Sequence, residues 1–277
     1  MPSELKYPGD GHIKSGDLSS ENITANLLSD FWRKVICYGA VNSTNTLAVD
    51  LSLKYPESEI AIIADSQVKG KGRLGRVWVS PPGCNIYMSV VLHTEIAPQD
   101  ATLLTISAAV ACASALRNKC GLDVNIKWPN DLMVCYRKIG GILTELKSGY
   151  GRISKLVVIG IGVNVNSRLT DFPEELRSRA TSLKEETGKY FERSGMIADI
   201  LNEFEKWYKK LLSEGRFPLL KEWRRLSSTL GNKVRVTVGT DIFSGFAEDI
   251  DEQGRLILKL ATGAKMIVSA GDLTELR

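Results

Sequence analysis

The amino-acid sequence predicts an α+β protein, in which a mixed, largely antiparallel sheet carries helices and a small β-barrel follows at the C-terminus. Three observations lead there. Residues 124–166 hold four apolar runs, VNIKWP, DLMVCY, KIGGILTELK and KLVVIGIGVNVN, parted by turns too short for anything but mostly antiparallel pairing. Residues 193–213 repeat apolar side chains at helical spacing: Ile197, Ile200, Leu201, Phe204, Trp207, Tyr208 and Leu211 form one face. From about residue 231 the chain changes to short strands, VRVTV, IFSGFAEDI, RLILKL and KMIVSA, joined by turns such as DEQG and ATG.

The elements follow in order. The first 20 residues are polar and broken by Pro and Gly, and read as flexible, with Ser19 or Ser20 capping a short helix, SSENITANLL. Asn42 and Ser43 precede a second helix, STNTLAVDLSLKY, which stops before Pro56 because a proline disfavours helical backbone in the residue ahead of it. EIAIIAD over 59–65 is a compact apolar strand. Residues 67–83 hold four glycines and two prolines and form a long loop, a feature that compact domains keep mainly for function. NIYMSVVLHT is the next strand, and residues 101–118 form a buried helix. Phe217 to Leu230 reads as a helix closed by Gly231. The organisation expected is an N-terminal segment over 1–39, a main body over 40–229 and the barrel over 230–277.

Composition excludes several functions. About 43% of the 277 residues are apolar and 25% charged, ordinary for a globular chain. A net charge of +4 is too small to call for nucleic acid and suits anionic substrates. Five cysteines with no C-x-x-C pair, and an opening without a secretory pattern, point to reduced thiols in a cytoplasm. Two histidines far apart, His12 and His93, do not make a zinc site. The longest apolar run, Leu103 to Leu116, falls short of the roughly 20 residues a bilayer crossing takes, so no membrane is expected.

The chemistry gathers in Gly70-Lys71-Gly72-Arg73-Leu74-Gly75-Arg76-Val77-Trp78. The string matches G-x-G-x-x-G, yet VWVSPPG follows where a dinucleotide site needs a helix. No H-R-D or D-F-G accompanies it, as a protein kinase requires, and no G-K-S or G-K-T, as a Walker loop requires. What remains is a glycine-hinged loop with three cations in six residues, able to approach an anion closely and to be ordered by it. A second cation, Lys127, stands beside Trp128 and ahead of a Pro129-Asn130-Asp131 turn, which fixes it more firmly than a surface lysine. Gly140-Gly141 after Lys138, and Gly160-x-Gly162 before Asn164, place glycines inside strands, where a ligand or another backbone comes close.

These segments, in this order, resemble biotin protein ligases: Ser43-Thr44-Asn45; Gln67 with the 70–78 loop; Ser80-Pro81-Pro82-Gly83; Lys127-Trp128-Pro129-Asn130-Asp131; Lys138-Ile139-x-Gly141; and Gly160-x-Gly162-x-Asn164. The resemblance runs from about residue 40 to the C-terminus. It implies a class II synthetase-like catalytic domain over 40–229 and an SH3-like barrel over 230–277. The implied enzyme makes biotinyl-5′-AMP from biotin and ATP, with Mg²⁺ as counter-ion, and transfers biotin to a lysine of a biotin carboxyl carrier protein or domain. Ser43, Thr44, Asn45 and Gln67 would surround the ureido ring. Lys71, Gly72 and Arg73 would close over biotin and its adenylate, and Lys127 would meet the carboxylate and α-phosphate, with Lys127 and Arg73 the catalytic pair. Trp78 would stack on adenine, and Arg76, Asn130, Lys138 and Asn164 would serve the nucleotide. Apart from the resemblance, Asp131 is placed either to assist the incoming amine or to serve as a turn residue capping its own backbone, and the terminal Arg277 could reach ATP. No resident metal site is implied.

One departure stands out. The first loop cation, commonly arginine in that family, is Lys71, a point charge without a bidentate fork. The residues ahead of Ser43 show no three-helix pattern, so the form expected lacks a DNA-binding domain and is a monomer or weak homodimer. The rivals are a lipoate protein ligase of related fold and a non-enzymatic binding module built on the barrel. Against the second, residues 231–277 carry six Lys plus Arg and seven Asp plus Glu, without the basic footprint of nucleic-acid binding.

Overall fold

A computed structural model describes residues 17–56, 58–94, 96–97, 100–147 and 156–276. Most of the N-terminal stretch read as flexible, and Arg277, lie outside the described residues. A seven-stranded sheet is built from β1 (Lys34–Val41), β2 (Ile60–Gln67), β3 (Ile86–His93), β4 (Asn125–Lys127), β5 (Asp131–Val134), β6 (Arg137–Lys147) and β7 (Leu156–Val163), in the order β1-β2-β3-β7-β6-β5-β4. Only β1 and β2 run parallel; every other pairing is antiparallel. That parallel strand, KVICYGAV, was not among the strands read from the sequence, although residues 35–41 form an apolar run.

Alternation along the strands assigns their faces. Ala61, Ile63, Met88, Val90, Ile159 and Ile161 join one core with α3 (Ala101–Cys120), Leu183 of the short α4 (Leu183–Thr187), α5 (Arg193–Glu214) and α6 (Phe217–Leu226). Ile60, Ile62, Ala64, Val91 and Val158 join a smaller core with α2 (Thr44–Lys54). The expected buried helix is α3. Its 20 residues reach the length a bilayer crossing takes, but it packs on α5, α6 and β6 instead. The opposite face is covered by α2 only in part. Beyond it the sheet presents Gly141, Gly160 and Gly162, where removal of side chains leaves a shallow floor.

Two helix ends are closed by serine hydroxyls or stop short of the expected residue. In α1 (Ser20–Ala25) the cap is Ser19, whose hydroxyl accepts the Asn22 N–H at 3.2 Å. The helix expected over 217–230 stops at Leu226, and Gly231 does not cap it. The Ser227 hydroxyl accepts the N–H groups of Thr229 and Leu230, and the Ser228 N–H bonds the Ile126 carbonyl at 3.0 Å, so the chain leaves the helix to join β4.

The C-terminal sheet comprises β8 (Lys233–Val238), β9 (Asp241–Ile250), β10 (Leu256–Leu260), β11 (Lys265–Val268) and β12 (Asp272–Glu275), ordered β11-β10-β9-β8-β12 and wholly antiparallel. β12 is one strand more than the sequence suggested. It pairs with β8 and brings the chain back toward the large sheet. The barrel is docked firmly: the Trp128 indole donates to the Gly254 carbonyl at 3.1 Å, and Arg224 pairs with Asp249 at 2.6 Å.

Candidate active site

On the glycine floor the sheet, the 68–85 loop and β12 enclose a cavity of about 1550 Å³. That exceeds the roughly 300–1,000 Å³ of ordinary ligand pockets and leaves room for two reactants. Its walls include Ser43, Thr44, Asn45, Gln67, Lys71, Gly72, Arg73, Arg76, Trp78, Lys127, Asn130, Lys138 and Asn164. Apart from Arg277, which lies outside the described residues, the site residues expected from the sequence line one hollow.

The loop is a small hairpin rather than an irregular coil. The Trp78 N–H donates to the Gly70 carbonyl at 2.9 Å, Lys71 bridges Val77, and the Gly72 N–H donates to the Arg76 carbonyl at 2.7 Å. The tip turns through Leu74 and Gly75 with φ of 54° and 74°, left-handed backbone that glycine adopts readily. At Gly70 any Cβ would collide with the Trp78 carbonyl and meet the Ser80 hydroxyl at 2.8 Å, so the hinge of the hairpin admits only glycine.

Two arginines latch this flap. Arg73 donates to the Asn130 side-chain oxygen at 3.0 Å and to the Gly271 carbonyl at 3.5 Å, and Arg76 pairs with Asp272. Burial lowers the Arg73 guanidinium from its ordinary value, opposed by Asp131 and Asp272. Asn130 is held in turn by its own amide N–H on the Ile142 carbonyl at 2.5 Å. Neither Gly271 nor Asp272 was foreseen as a partner of the loop.

Lys127 closes β4, where the hairpin register sets it opposite Asp131. Asp131 pairs with Lys138 at 2.5 Å. Lys138 lies 5.5 Å from the centre of the Trp78 ring. That ring occupies the floor itself, for a Cβ on Gly162 would sit 2.5 Å from it and one on Gly141 3.5 Å. Its indole nitrogen is buried without a hydrogen-bond partner. Asn164, nearly buried, donates to the Thr181 carbonyl at 3.0 Å.

At the other end, Gln67 accepts the Thr44 N–H at 2.9 Å and the Thr44 hydroxyl at 3.2 Å, and donates to the Ser80 hydroxyl at 3.0 Å. Asn45 fills the space above Gly160 and donates to Glu145 at 2.8 Å. Its oxygen meets Ser89 at 2.6 Å, and Ser89 also meets Thr44 at 2.7 Å. Ser89 and Glu145 were overlooked; a serine inside the apolar run of β3 was the available signal. Among the described residues no group of three or more acidic, His or Cys side chains could hold a metal. The donor set fits phosphate better than a bare cation, so magnesium would enter bound to phosphate oxygens.

Fold and site together define a class: a mixed sheet with one glycine-lined, cation-rimmed face, closed by a hairpin flap and an added barrel. Comparison with known proteins narrows it. Residues 38–164 match the biotin/lipoate A/B protein ligase family and residues 229–273 the biotin protein ligase C-terminal domain. A bifunctional ligase/repressor BirA of Bacillus subtilis is 36% identical over 93% of this chain and 79% of its own. A biotin–[acetyl-CoA-carboxylase] ligase of Mycobacterium tuberculosis is 31% identical over 89% of this chain and 90% of its own. The solved biotin protein ligase from Aquifex aeolicus in complex with biotin and ATP superposes with a TM-score of 0.74 at 26% identity, covering 88% of this chain and 100% of that one. The chain belongs to the biotin protein ligase family.

Proposed function

We propose that this protein is a biotin–[biotin carboxyl carrier] ligase, with residues 40–229 forming the catalytic domain and 230–277 the supporting barrel. The observation that carries this reading is the convergence of the flap cations, Lys127 and the Gln67–Thr44–Asn45 cluster on one cavity. Relatives named biotin–[acetyl-CoA-carboxylase] ligase favour biotin over lipoate and a carboxylase carrier as acceptor.

In the first step a biotin carboxylate oxygen bonds the α-phosphorus of ATP as the bond to pyrophosphate breaks. Two anions must meet, and the repulsion grows in a site shielded from water. Lys127, Arg73 and Lys71 offset that charge, while magnesium on the phosphates supplies further neutralisation. Holding both reactants in place contributes roughly 7 kcal/mol or more in favourable cases. Asn130, Lys138, Asn164 and Arg76 hold the nucleotide, with Trp78 offering a flat face to the base. In the second step a neutral lysine amine of the carrier attacks the acyl carbon and AMP leaves. Between the steps the 70–78 flap keeps water from the mixed anhydride.

Incubation with biotin, Mg-ATP and a biotin carrier domain, read by mass spectrometry, tests this. The expected product is one biotin on one lysine. Pyrophosphate release with lipoic acid but not biotin overturns it. The chain acts as monomer or weak dimer, in a cytoplasm, without DNA. A mobility-shift series in salt checks the last point.

A further inference from the structure

The polar cluster behind Thr44 has an order of protons that its atoms dictate. Glu145 stands on β6, on the glycine-floor face, and takes a hydrogen bond from the Asn45 amide nitrogen at 2.8 Å. A carboxylate cannot donate, so the Asn45 nitrogen is fixed on that side and its oxygen turns to Ser89 at 2.6 Å. An amide oxygen only accepts, so Ser89 is the donor there. Ser89 is the donor to the Thr44 oxygen as well, at 2.7 Å, its one proton shared between the two acceptors, so the Thr44 proton goes to the Gln67 oxygen at 3.2 Å. The Gln67 oxygen is fixed as an acceptor by the Thr44 N–H at 2.9 Å. That bond spends the Thr44 proton inside the protein, and Thr44 faces the cavity with lone pairs alone.

We infer that Glu145, acting through Asn45 and Ser89, is a positioning residue that holds Thr44 as an obligate acceptor and so selects acids presenting an N–H at that point. The inference rests on the biotin reading of the site, whose cyclic urea presents such a group; a dithiolane acid presents none. Ser89 is fully buried, and Asn45 and Thr44 nearly so, which keeps water from resetting the chain. Burial alone would raise the Glu145 carboxyl, but hydrogen bonds from Asn45 and Lys147, with the charge of Lys71, hold it below its ordinary range. The carboxylate stays charged, and the order persists at neutral pH.

The full-length enzyme is assayed by pyrophosphate release with biotin and with two biotin analogues, each having one ring N–H replaced by oxygen. Glu145→Leu and Ser89→Ala should raise the KM for biotin about three- to tenfold, the worth of one ordinary hydrogen bond. They should leave kcat at saturating biotin within about twofold, and shrink the preference for biotin over the oxygen analogue that faces Thr44. Glu145→Gln keeps shape and one acceptor but loses the charge that fixes the order, and should fall between. Unchanged preference in all three variants overturns the inference, whether KM stays put or kcat and KM decline together as in simple loss of structure. Wild-type enzyme that releases no pyrophosphate with biotin overturns the site reading, and this inference with it. Wild-type turnover with unchanged variant selectivity overturns the inference alone.

Discussion

Arg73 and Lys127 are held differently at one cavity. Arg73 is tied to Asn130 and Gly271, whereas the Lys127 ammonium has no ion-pair partner among the described residues. A cation held by its strand and left available is placed to meet charge that develops on oxygen, and removing such a group costs on the order of 10²–10³ in rate. Lys127→Ala should therefore lose adenylate formation by about that factor, read as pyrophosphate release, with little change in melting temperature. Near-normal release by a folded variant would remove Lys127 from the mechanism. Arg73→Ala should act later: the flap loses its anchor, adenylate escapes, and lysines of bystander proteins become labelled. Labelling confined to the carrier would show that the flap is not the gate. Both residues stood out in the sequence, Arg73 as a cation among glycines and Lys127 as a cation between a strand and a Pro-Asn-Asp turn. The tie of Asp131 to Lys138 did not, since a P-N-D turn reads alike whether its acid is free or paired.

The flap, β7 and β12 meet as elements, and only two of the three announced themselves. Glycines of β7 alternate with Val and Ile, so the period of a strand showed which face was stripped. What came to lie on that face did not show: Gly160 receives Asn45 and Gly162 receives Trp78, contacts between segments distant in sequence. A methyl group at Gly162 would meet the indole at 2.5 Å. Gly162→Ala should displace Trp78 and raise the KM for ATP more than that for biotin, measured by initial rates with each substrate varied. An equal effect on both would place the ring outside the nucleotide subsite. β12 was illegible for a plainer reason: DLTE has neither apolar run nor strong alternation, and it is a strand because β8 offers it an open edge. Through it Asp272 reaches Arg76. Asp272→Ala should free the flap from the barrel and shorten the lifetime of bound adenylate, followed by release of labelled AMP ester from the purified complex. An unaltered lifetime would leave the latch without function.

For the molecule as a whole, α+β organisation with a terminal barrel was readable from periodicity and turn spacing, because those patterns are local. The bond that ties its parts together was not. Arg193, at the start of α5, is almost fully buried and pairs with Asp17 at 2.7 Å and Asp65 at 2.8 Å. Desolvation works against its charge, yet the hydrogen bonds to both acids outweigh it and raise the guanidinium above its ordinary value. Asp65, two residues before the end of β2, also accepts the Gly83 N–H at 3.1 Å, which secures the Ser80-Pro81-Pro82-Gly83 turn whose Ser80 holds Gln67. The Asp17 carbonyl accepts from Ser194 at 2.6 Å. One guanidinium thus joins the N-terminal segment, the sheet and the helical layer. Removing one partner of a buried ionic group strands the others, which costs about 3–5 kcal/mol. Arg193→Met should leave Asp17 and Asp65 uncompensated and lower the melting temperature by roughly 6–20 °C, taking about 2–4 °C per kcal/mol for a chain near this size. The Gly83 turn should loosen as well, so the KM for biotin should rise in the variant at temperatures well below its transition. A variant that melts with the wild type would show that the three segments are held by apolar packing alone, and that the buried charge contributes nothing to their assembly.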